Sequence, residues 1–419
     1  MGWNSWDCYG ASVTEAEVKG NADYMAAFLK PFGWEYVVVD IQWYEPGANS
    51  SRYRNYAPLE MDGCSRLIPA VNRFPSSAGG MGFTALADYV HRLGLKFGIH
   101  IMRGIPRQAV HANTPILGTT VRAKDIAHPN SICPWNTDMY GVDPAKPGAR
   151  EYYNSLFDMY ADWGVDFVKV DDIASSTLYG YHPEEILMIR EAIDQCGRAM
   201  VLSLSPGPAP IEHADFFKAN ANMWRITNDF WDLWPHLAGM FKRCEQWAEY
   251  SGPGHWPDCD MLPLGRIGIR NIDGGAGDRW TRFSKDEQIT MMTLWTIFRS
   301  PLMFGGELRN LDEWTLGLMT NPEVLAMHRN SRGARQLYRE NGKIVWTSED
   351  DCGNRYAALF NISYSPAVVT VFLRDIDIHQ PVMVRDLWLR KDLGLHKEQL
   401  AACIPPHGAK LFRLFAPES

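Results

Sequence analysis

The sequence has 419 residues, of which 46% are hydrophobic and 12% aromatic, and its formal net charge is −8. This is enough apolar material for a large core and too much chain for one ordinary domain. Basic residues do not cluster, which argues against nucleic acid as a partner, and no apolar run approaches the ~20 residues of a membrane-spanning helix.

The first residues of the chain and the spacing of its cysteines bear on the cellular compartment of the protein. Residues 1–6 contain neither the basic nor the apolar region of a signal peptide. The eight cysteines are scattered, and none forms a C-x-x-C motif or a Cys/His zinc spacing. We therefore expect reduced thiols and a cytoplasmic protein.

Short β-branched segments alternate with segments of helical periodicity along the first three quarters of the chain. Strands are predicted at residues 2–6, 36–40, 95–102, 165–172, 199–204, 223–227, 254–264 and 301–305. Helices are predicted at residues 14–29, 83–93, 145–163, 182–196 and 285–298, and Pro147 is expected in the first turn of its helix. Eight strands that alternate with helical segments over about 300 residues predict an α/β fold of the TIM (β/α)8 barrel type.

From about Arg335 the pattern changes to short strands separated by turns, with no helical period between them. These strands are predicted at residues 345–346, 355–362, 367–373, 382–389 and 409–415. They indicate a small C-terminal antiparallel β-sandwich. The predicted domains are a catalytic TIM barrel at residues 1–332 and the β-sandwich at residues 333–419.

The most informative stretch is the strand at residues 165–172. Lys169, Asp171 and Asp172 end a buried apolar strand, where an unpaired charge would cost several kcal/mol. Lys169 and Asp171 alternate with Val170 and therefore share one face. The carboxyl end of a barrel strand is where such charges perform chemistry. The alternative is an internal ion pair that only fixes the end of the strand.

Charged side chains end several other predicted strands as well. They are Asp40, His100, Arg225, Asp229, Asp258 and Asp260. Two carboxylates on facing strands suit glycoside hydrolysis, which in a retaining enzyme places them ~5–5.5 Å apart. The competing chemistry is a metal site made of Asp40, His100 and Asp171. Lys169 and Arg225 in the same mouth would repel a cation, so we predict neither a metal nor a cofactor.

Four motifs together resemble glycoside hydrolase family 27, the α-galactosidase and α-N-acetylgalactosaminidase family. They are Gly-Trp-Asn-Ser-Trp at residues 2–6, Lys-x-Asp at 169–171, an arginine four residues before Asp229, and Trp-x-Asp-x-Asp-Met-Leu at 256–262. Each motif is weak alone, but the match spans nearly the whole chain. The resemblance implies a TIM barrel followed by a β-sandwich, which agrees with the predicted order of elements.

The resemblance also implies a retaining double displacement and a role for each matching residue. Asp171 would be the nucleophile and Asp229 the acid/base. Lys169, Arg225 and Asp40 would hold ring hydroxyls, and Trp6 would form an apolar wall against the sugar. For Asp260, as for Asp258, a contact with the sugar and a hydrogen bond that only holds a loop stay equally open.

The sequence departs from the family pattern at three positions that, by the resemblance, would face the substrate. Ile41 stands where α-galactosidases usually carry a second acidic residue, which holds a sugar hydroxyl. His100 stands where a tyrosine is usual. The segment that reads the 2-substituent in the family is Ser-Leu-Ser-Pro-Gly at 203–207 here, where Cys-Glu-Trp or Cys-Ser-Trp is usual, and Ser205 lies in it. All three are candidate substrate-binding residues. The paired cysteines of secreted relatives are also missing.

Ile41 bears on which sugar is bound. A galactose 6-hydroxyl buried against isoleucine would lose its partner at a cost of about 1–3 kcal/mol. β-L-Arabinopyranose has the stereochemistry of α-D-galactopyranose without the hydroxymethyl group, so we favour a β-L-arabinopyranosidase. The alternatives are that Ile41 is core and the protein is an α-galactosidase or α-N-acetylgalactosaminidase.

A non-catalytic sugar-binding protein is a further alternative. A catalytically inactive barrel should have lost one carboxylate of the pair, and here both Asp171 and Asp229 are present. The expected partner is a short oligosaccharide or glycoside, with no nucleic acid and no membrane. Homo-oligomerisation through the long loops at residues 44–82 and 103–142 stays open.

Overall fold

The computed structural model describes residues 1–417. Its largest sheet has eight parallel strands. They are β1 (Gly2–Asn4), β2 (Tyr36–Val39), β3 (Lys96–Met102), β4 (Phe167–Asp171), β5 (Val201–Leu204), β6 (Met223–Arg225), β7 (Trp256–Asp258) and β8 (Met303–Phe304). The strands are short and rich in valine, isoleucine and leucine. Val37, Val38 and Val39 are fully buried, as expected for a parallel sheet covered on both faces.

The first of two compact units comprises Met1–Asp229, Asp260–Trp280 and Met303–Leu311. Within it the strand order is β6-β5-β4-β3-β2-β1-β8. β1 pairs with both β2 and β8 in parallel register. Leu262 adds a parallel bridge to Phe304 of β8. The carboxyl ends of these strands therefore meet on one side, which is where a barrel carries its site.

The helices of the first unit follow the strands. They are Trp6–Tyr9, Glu15–Tyr24, Thr84–Arg92, Arg107–Ala112, Ala123–Ile126, Ala149–Asp162, Pro183–Gln195 and Ala214–Asn220. Single turns occur at Gly10–Ser12, Met25–Leu29, Lys30–Phe32, Pro75–Gly80, Ile211–His213, Asp273–Gly275 and Leu308–Asn310. The loop after β3 contains a small sheet of Ile105–Pro106, Ala127–Ile132 and Met139–Val142, and a hairpin joins Arg266–Ile267 to Arg279–Trp280.

The second unit comprises Phe230–Cys259, Thr281–Leu302 and the chain from Asp312 onward. It contains β7, the helices Trp234–Trp247, Lys285–Phe298, Glu313–Thr320 and Pro322–Asn330, and the turns Ala248–Tyr250 and Leu373–Ile376. Its remaining strands are β9 (Arg332–Glu340), β10 (Lys343–Glu349), β11 (Arg355–Asn361), β12 (Ala367–Phe372), β13 (Val382–Asp386), β14 (Lys391–His396), β15 (Gln399–Ile404) and β16 (Ala409–Phe415).

Strands β9–β16 form two antiparallel sheets. One has the order β9-β10-β11-β16-β13-β14, and the other pairs β12 with β15. Apolar residues of both sheets are buried in one core, among them Leu359 and Leu414 of the larger sheet and Val371 and Leu400 of the smaller one. This is a β-sandwich. The predicted fold class, a TIM barrel followed by a C-terminal sandwich, is confirmed.

Two local predictions were wrong. The first strand was expected to reach Trp6, but Trp6–Tyr9 is a helix. Its start is favoured because the Asn4 side chain accepts a hydrogen bond from the Trp6 N–H at 2.8 Å, which turns the chain out of β1. Pro147 was expected in the first turn of a helix, but that helix begins at Ala149 after Gly148, whose φ is +93°. The domain boundary at residue 332/333 stays a prediction.

Candidate active site

The predicted site residues of β3 and β4 lie side by side at the carboxyl end of the sheet. His100 is paired in register with Lys169. Asp171 is the last residue of β4. Val168 and Val170 are fully buried, whereas Lys169 and Asp171 are partly exposed. The predicted sharing of one strand face by Lys169 and Asp171 is therefore confirmed.

Asp40 follows β2 and is held by three groups. Its Oδ2 accepts hydrogen bonds from Lys169 Nζ at 3.0 Å and Asn4 Nδ2 at 2.8 Å, and its Oδ1 accepts one from the Ile41 N–H at 2.9 Å. Burial raises the pKa of the Asp40 carboxyl, but the Lys169 and His100 charges outweigh this and the pKa is lowered. The same pairing raises the pKa of Lys169 in spite of its burial. Asp40 and Lys169 therefore form a fixed, ionised pair.

Asp171 is held ionised by its neighbours. Its Oδ2 lies 3.0 Å from His100 Nε2, and its Oδ1 accepts a hydrogen bond from the Asp172 N–H at 2.8 Å. Burial raises its pKa, whereas the His100 contact and the Lys169 charge lower it well below the usual value of a carboxyl group. Since His100 Nε2 faces Asp171, this imidazole is engaged with a carboxylate.

Arg225 joins two further carboxylates. Its Nη2 lies 3.0 Å from Asp229 Oδ1, and its Nη1 lies 2.9 Å from Asp260 Oδ1. The Arg225 and Asp260 side chains are buried, but 55% of the Asp229 side chain is exposed. The buried Asp260 thus fixes the Arg225 guanidinium, while the exposed Asp229 remains accessible to a substrate.

The other predicted binding residues, Trp6, Ile41 and Ser205, come within two residues of the ends of β1, β2 and β5. Trp6 is 8% exposed and Ile41 2%. The Trp6 N–H is bound to Asn4, whose amide also donates to Asp40, so the first strand ties the Trp6 backbone to the Asp40 carboxylate. Ser205 is buried, and its Oγ lies 3.4 Å from a backbone carbonyl oxygen of β4. Its role is thus at least partly to join the ends of β4 and β5.

Tyr53 was missed by the sequence reasoning. It lies in the long loop between β2 and the next helix, with its ring between those of Trp6, at a centroid distance of 6.1 Å, and Trp135, at 5.7 Å. Burial raises the pKa of its hydroxyl, and the nearby carboxylates of Asp171 and Asp229 raise it further. Tyr53 therefore lies close enough to Asp171 and Asp229 to feel their charges. The available signal was an aromatic residue in a long polar loop.

Asp7 was also missed. It is 1% exposed, and its Oδ2 has no hydrogen-bond partner within residues 1–417. Burial raises its pKa well above the usual value, and the neighbouring Asp260 carboxylate raises it further.

Within residues 1–417, no group of three or more His, Cys, Asp or Glu side chains is placed to hold a metal ion. None of the helices within residues 1–417 combines the length and the apolar character that a membrane span requires.

Comparison with known proteins bears on both parts of the chain. Residues 137–330 match the family model described as alpha galactosidase A, and residues 340–414 match the alpha galactosidase C-terminal beta sandwich domain. The structure of a GH27 β-L-arabinopyranosidase from Geobacillus stearothermophilus is 70% identical, with a TM-score of 0.99, over 100% of this chain and 96% of that one. The chain belongs to glycoside hydrolase family 27. The predicted family is therefore confirmed, and the protein is a glycoside hydrolase.

A variant of that enzyme and one further relative extend the comparison. A variant of the same Geobacillus enzyme in which an aspartate is replaced by alanine, solved in complex with arabinose, is 69% identical, with a TM-score of 0.99, over 100% of this chain and 97% of that one. Alpha-galactosidase 2 of Arabidopsis thaliana is 26% identical over 420 residues, which are 99% of this chain and 88% of that protein. The family thus includes proteins named for two different sugars.

Proposed function

We propose that this family 27 enzyme removes terminal β-L-arabinopyranosyl residues from short glycosides by a retaining double displacement. In the first step the Asp171 carboxylate attacks the anomeric carbon and forms a glycosyl-enzyme ester. Asp229 donates its proton to the departing glycosidic oxygen. In the second step Asp229 takes a proton from water, whose oxygen displaces Asp171 and restores the carboxylate. No cofactor enters either step.

The surrounding contacts support these roles. The lowered pKa of Asp171 keeps the nucleophile ionised, and the exposed Asp229 side chain can reach a leaving group. We assign hydroxyl binding to Asp40, Lys169 and Arg225, because their charged groups are already fixed by neighbours and need little reorganisation. His100, Ser205 and Asp260 are further candidate contacts. Trp6 supplies an apolar wall for the sugar ring.

The choice of sugar rests on Ile41, which directly follows Asp40 and is 2% exposed. A galactoside would bury its 6-hydroxyl against a side chain that offers no acceptor, at a cost of about 1–3 kcal/mol. An arabinopyranoside presents only hydrogen there, so both surfaces are apolar and the contact is favourable. The 70% identity to a β-L-arabinopyranosidase points the same way.

Exchange of Ile41 tests this choice. Ile41→Asp should raise kcat/KM for nitrophenyl α-D-galactoside by about 10–100-fold and lower it for the β-L-arabinopyranoside. Ile41→Val is the matched control, because it changes size without adding an acceptor, and it should leave the preference in place. A wild-type enzyme that prefers the galactoside or the α-N-acetylgalactosaminide would favour the alternative activities, and an unchanged ratio in Ile41→Asp would show that Ile41 is core.

A rescue experiment distinguishes the proposed roles of Asp171 and Asp229. Asp171→Ala should abolish turnover, and azide should partly restore it by attacking the anomeric carbon, with a product of inverted configuration. Asp229→Ala should spare substrates whose leaving group needs no proton. An Asp171→Ala variant that works near the wild-type rate would exclude Asp171 as the nucleophile.

We also propose a reducing, cytoplasmic location and a division into a catalytic barrel at residues 1–332 and a sandwich at 333–419. The location is supported by eight cysteines that are all free. The division is supported by the start of β9 at Arg332 and by the sandwich-domain match that begins at residue 340.

A further inference from the structure

A buried arginine lies directly behind Asp171. Arg103 follows β3 and is 2% exposed. Its Nε donates to the backbone oxygen of Asp172 at 2.6 Å, and its Nη2 lies 3.0 Å from Asp172 Oδ2. Its backbone N–H donates to the Asp171 carbonyl oxygen at 3.1 Å. Arg103 thus grips both residues at the end of β4 through three separate contacts.

Asp172 is the residue that turns the chain out of β4. Its φ is +54°, a left-handed conformation that few residues other than glycine adopt, although aspartate and asparagine tolerate it. The Asp172 N–H donates to Asp171 Oδ1 at 2.8 Å. A change in the backbone of Asp172 would rotate this peptide group, and Asp171 would lose one of the two contacts that fix its carboxylate. Such conformations persist where the surroundings determine them.

The other end of the Arg103 guanidinium is anchored in the loop sheet and a helix. Nη1 lies 3.1 Å from Glu185 Oε1 and 3.0 Å from Ser131 Oγ. Glu185 Oε2 in turn accepts a hydrogen bond from the buried Tyr153 hydroxyl at 2.5 Å. The arginine is therefore shared by two carboxylates, of which only Asp172 belongs to the turn next to Asp171. If Arg103 positions Asp171, loss of the Asp172 carboxylate should therefore affect catalysis more than loss of the Glu185 carboxylate. If Arg103 only forms ion pairs, the two losses should have similar effects.

We propose that Arg103 and Asp172 are positioning residues that clamp the turn after β4 and so hold the Asp171 carboxylate in its attacking orientation before the substrate binds. The proposal rests on the proposed role of Asp171 as nucleophile. Its Oδ2 is set by His100 and its Oδ1 by the clamped peptide group. A carboxylate free to rotate would populate the attacking geometry less often, which lowers the rate of the chemical step without weakening sugar binding.

Substitutions at Asp172 distinguish the effect of its left-handed backbone conformation from the effect of its side-chain contact with Arg103. Asp172→Ala removes the carboxylate that pairs with Arg103 Nη2 and disfavours a positive φ. Asp172→Gly allows the conformation but also removes this carboxylate. Asp172→Asn keeps an oxygen and tolerates the conformation. We expect kcat to fall about 10–100-fold in the alanine variant, with KM within about threefold of wild type, to stay low in the glycine variant, and to recover most of its value in the asparagine variant.

Glu185→Gln is the matched control, because it neutralises the other carboxylate on the same guanidinium and leaves the turn untouched. It should lower the melting temperature but keep kcat within about threefold. Arg103→Lys removes the fork that grips Asp172 and should behave like Asp172→Ala. If Arg103→Lys does not fold, the Asp172 and Glu185 variants still decide the matter.

The measurements are kcat and KM with the nitrophenyl glycoside that wild type cleaves best, and the rate of covalent labelling by the matching 2-deoxy-2-fluoro glycosyl fluoride. The labelling rate constant should fall with kcat, whereas the inhibitor concentration for half-saturation should not move. An Asp172→Ala variant with wild-type kcat, or a Glu185→Gln variant that loses as much kcat as Asp172→Ala, would overturn the proposal. If the label is found on a residue other than Asp171, the proposed function itself has failed.

Discussion

Burial alone does not set the charge of the carboxyl groups in this site. Asp40 and Asp171 are desolvated, yet their pKa values are lowered, because Lys169 and His100 lie within hydrogen-bond distance of them. Asp7 is also desolvated, and the Asp260 carboxylate adds to the effect of burial, so that its pKa is raised. Carboxyl groups of one site are thereby held in different protonation states.

Asp7 gives a prediction for stability against pH. A folded-state pKa above the unfolded value means that stability is fully present below the unfolded pKa, ~3.9, and is lost as the pH rises towards the folded pKa. Asp7→Asn removes this dependence. Melting temperatures at pH 4.5, 6 and 8 should therefore show the variant gaining on wild type as the pH rises. The exposed Asp215 is the control position, and Asp215→Asn should show no such trend. A difference at Asp7 that is constant with pH would contradict the assignment.

The residues of the site that the sequence could indicate are those attached to strand ends. Lys169, Asp171 and Arg225 follow from the rule that charges at the carboxyl ends of barrel strands meet. Tyr53 lies in a loop whose path is set by contacts with Trp6 and Trp135, far away in sequence. No periodicity places such a loop, so its side chains could not be assigned to the site in advance.

Among the elements, those that carry their own signals were predicted best. The helix Lys285–Phe298 was predicted with its observed bounds, because the Ser284 N–H donates to Glu287 and the Ser284 hydroxyl accepts from the Glu287 N–H, a complete capping box. The helix Trp234–Trp247 was missed, and it has no side-chain cap at Leu233. A capping box is therefore one usable signal for the start of a helix, although Pro183–Gln195 was predicted to within one residue at each end without a side-chain cap.

Three sandwich strands, β9, β14 and β15, were missed, and two of them share a position in the sheet. β9 and β14 are the two edge strands of the larger sandwich sheet, and both contain charged residues. β9, with four charged residues among nine, lacks the apolar alternation of a half-buried strand, and edge strands are often charged because this discourages pairing with other chains. They become strands by pairing with β10 and β13. These two strands therefore form because of their pairing partners, and the sequences of their own segments do not predict them.

At the scale of the whole molecule, the eight free thiols give a prediction. Cys352 and Cys403 are exposed, whereas Cys244 and Cys259 are buried with their sulfurs 3.5 Å apart. A thiol reagent should modify Cys352 and Cys403 first in the native protein and all eight after denaturation without reductant. The variant with both exposed cysteines changed to serine should lose the fast phase. Fewer than about six thiols in the denatured protein would contradict the proposed reducing compartment.

The pairing of β1 with β8 has a consequence for synthesis. Gly2 is hydrogen-bonded in register with Met303, and Asp260, which holds Arg225, also comes late in the chain. A ribosome adding about 5–20 residues per second needs about 15–60 s to travel from the first of these strands to the last. During that time β1 has β2 on one side and an open edge on the other. Chains released before β8 is made therefore carry Asp40 and Asp171 but leave this edge of β1 unpaired, and we expect chaperones and proteases to recognise them.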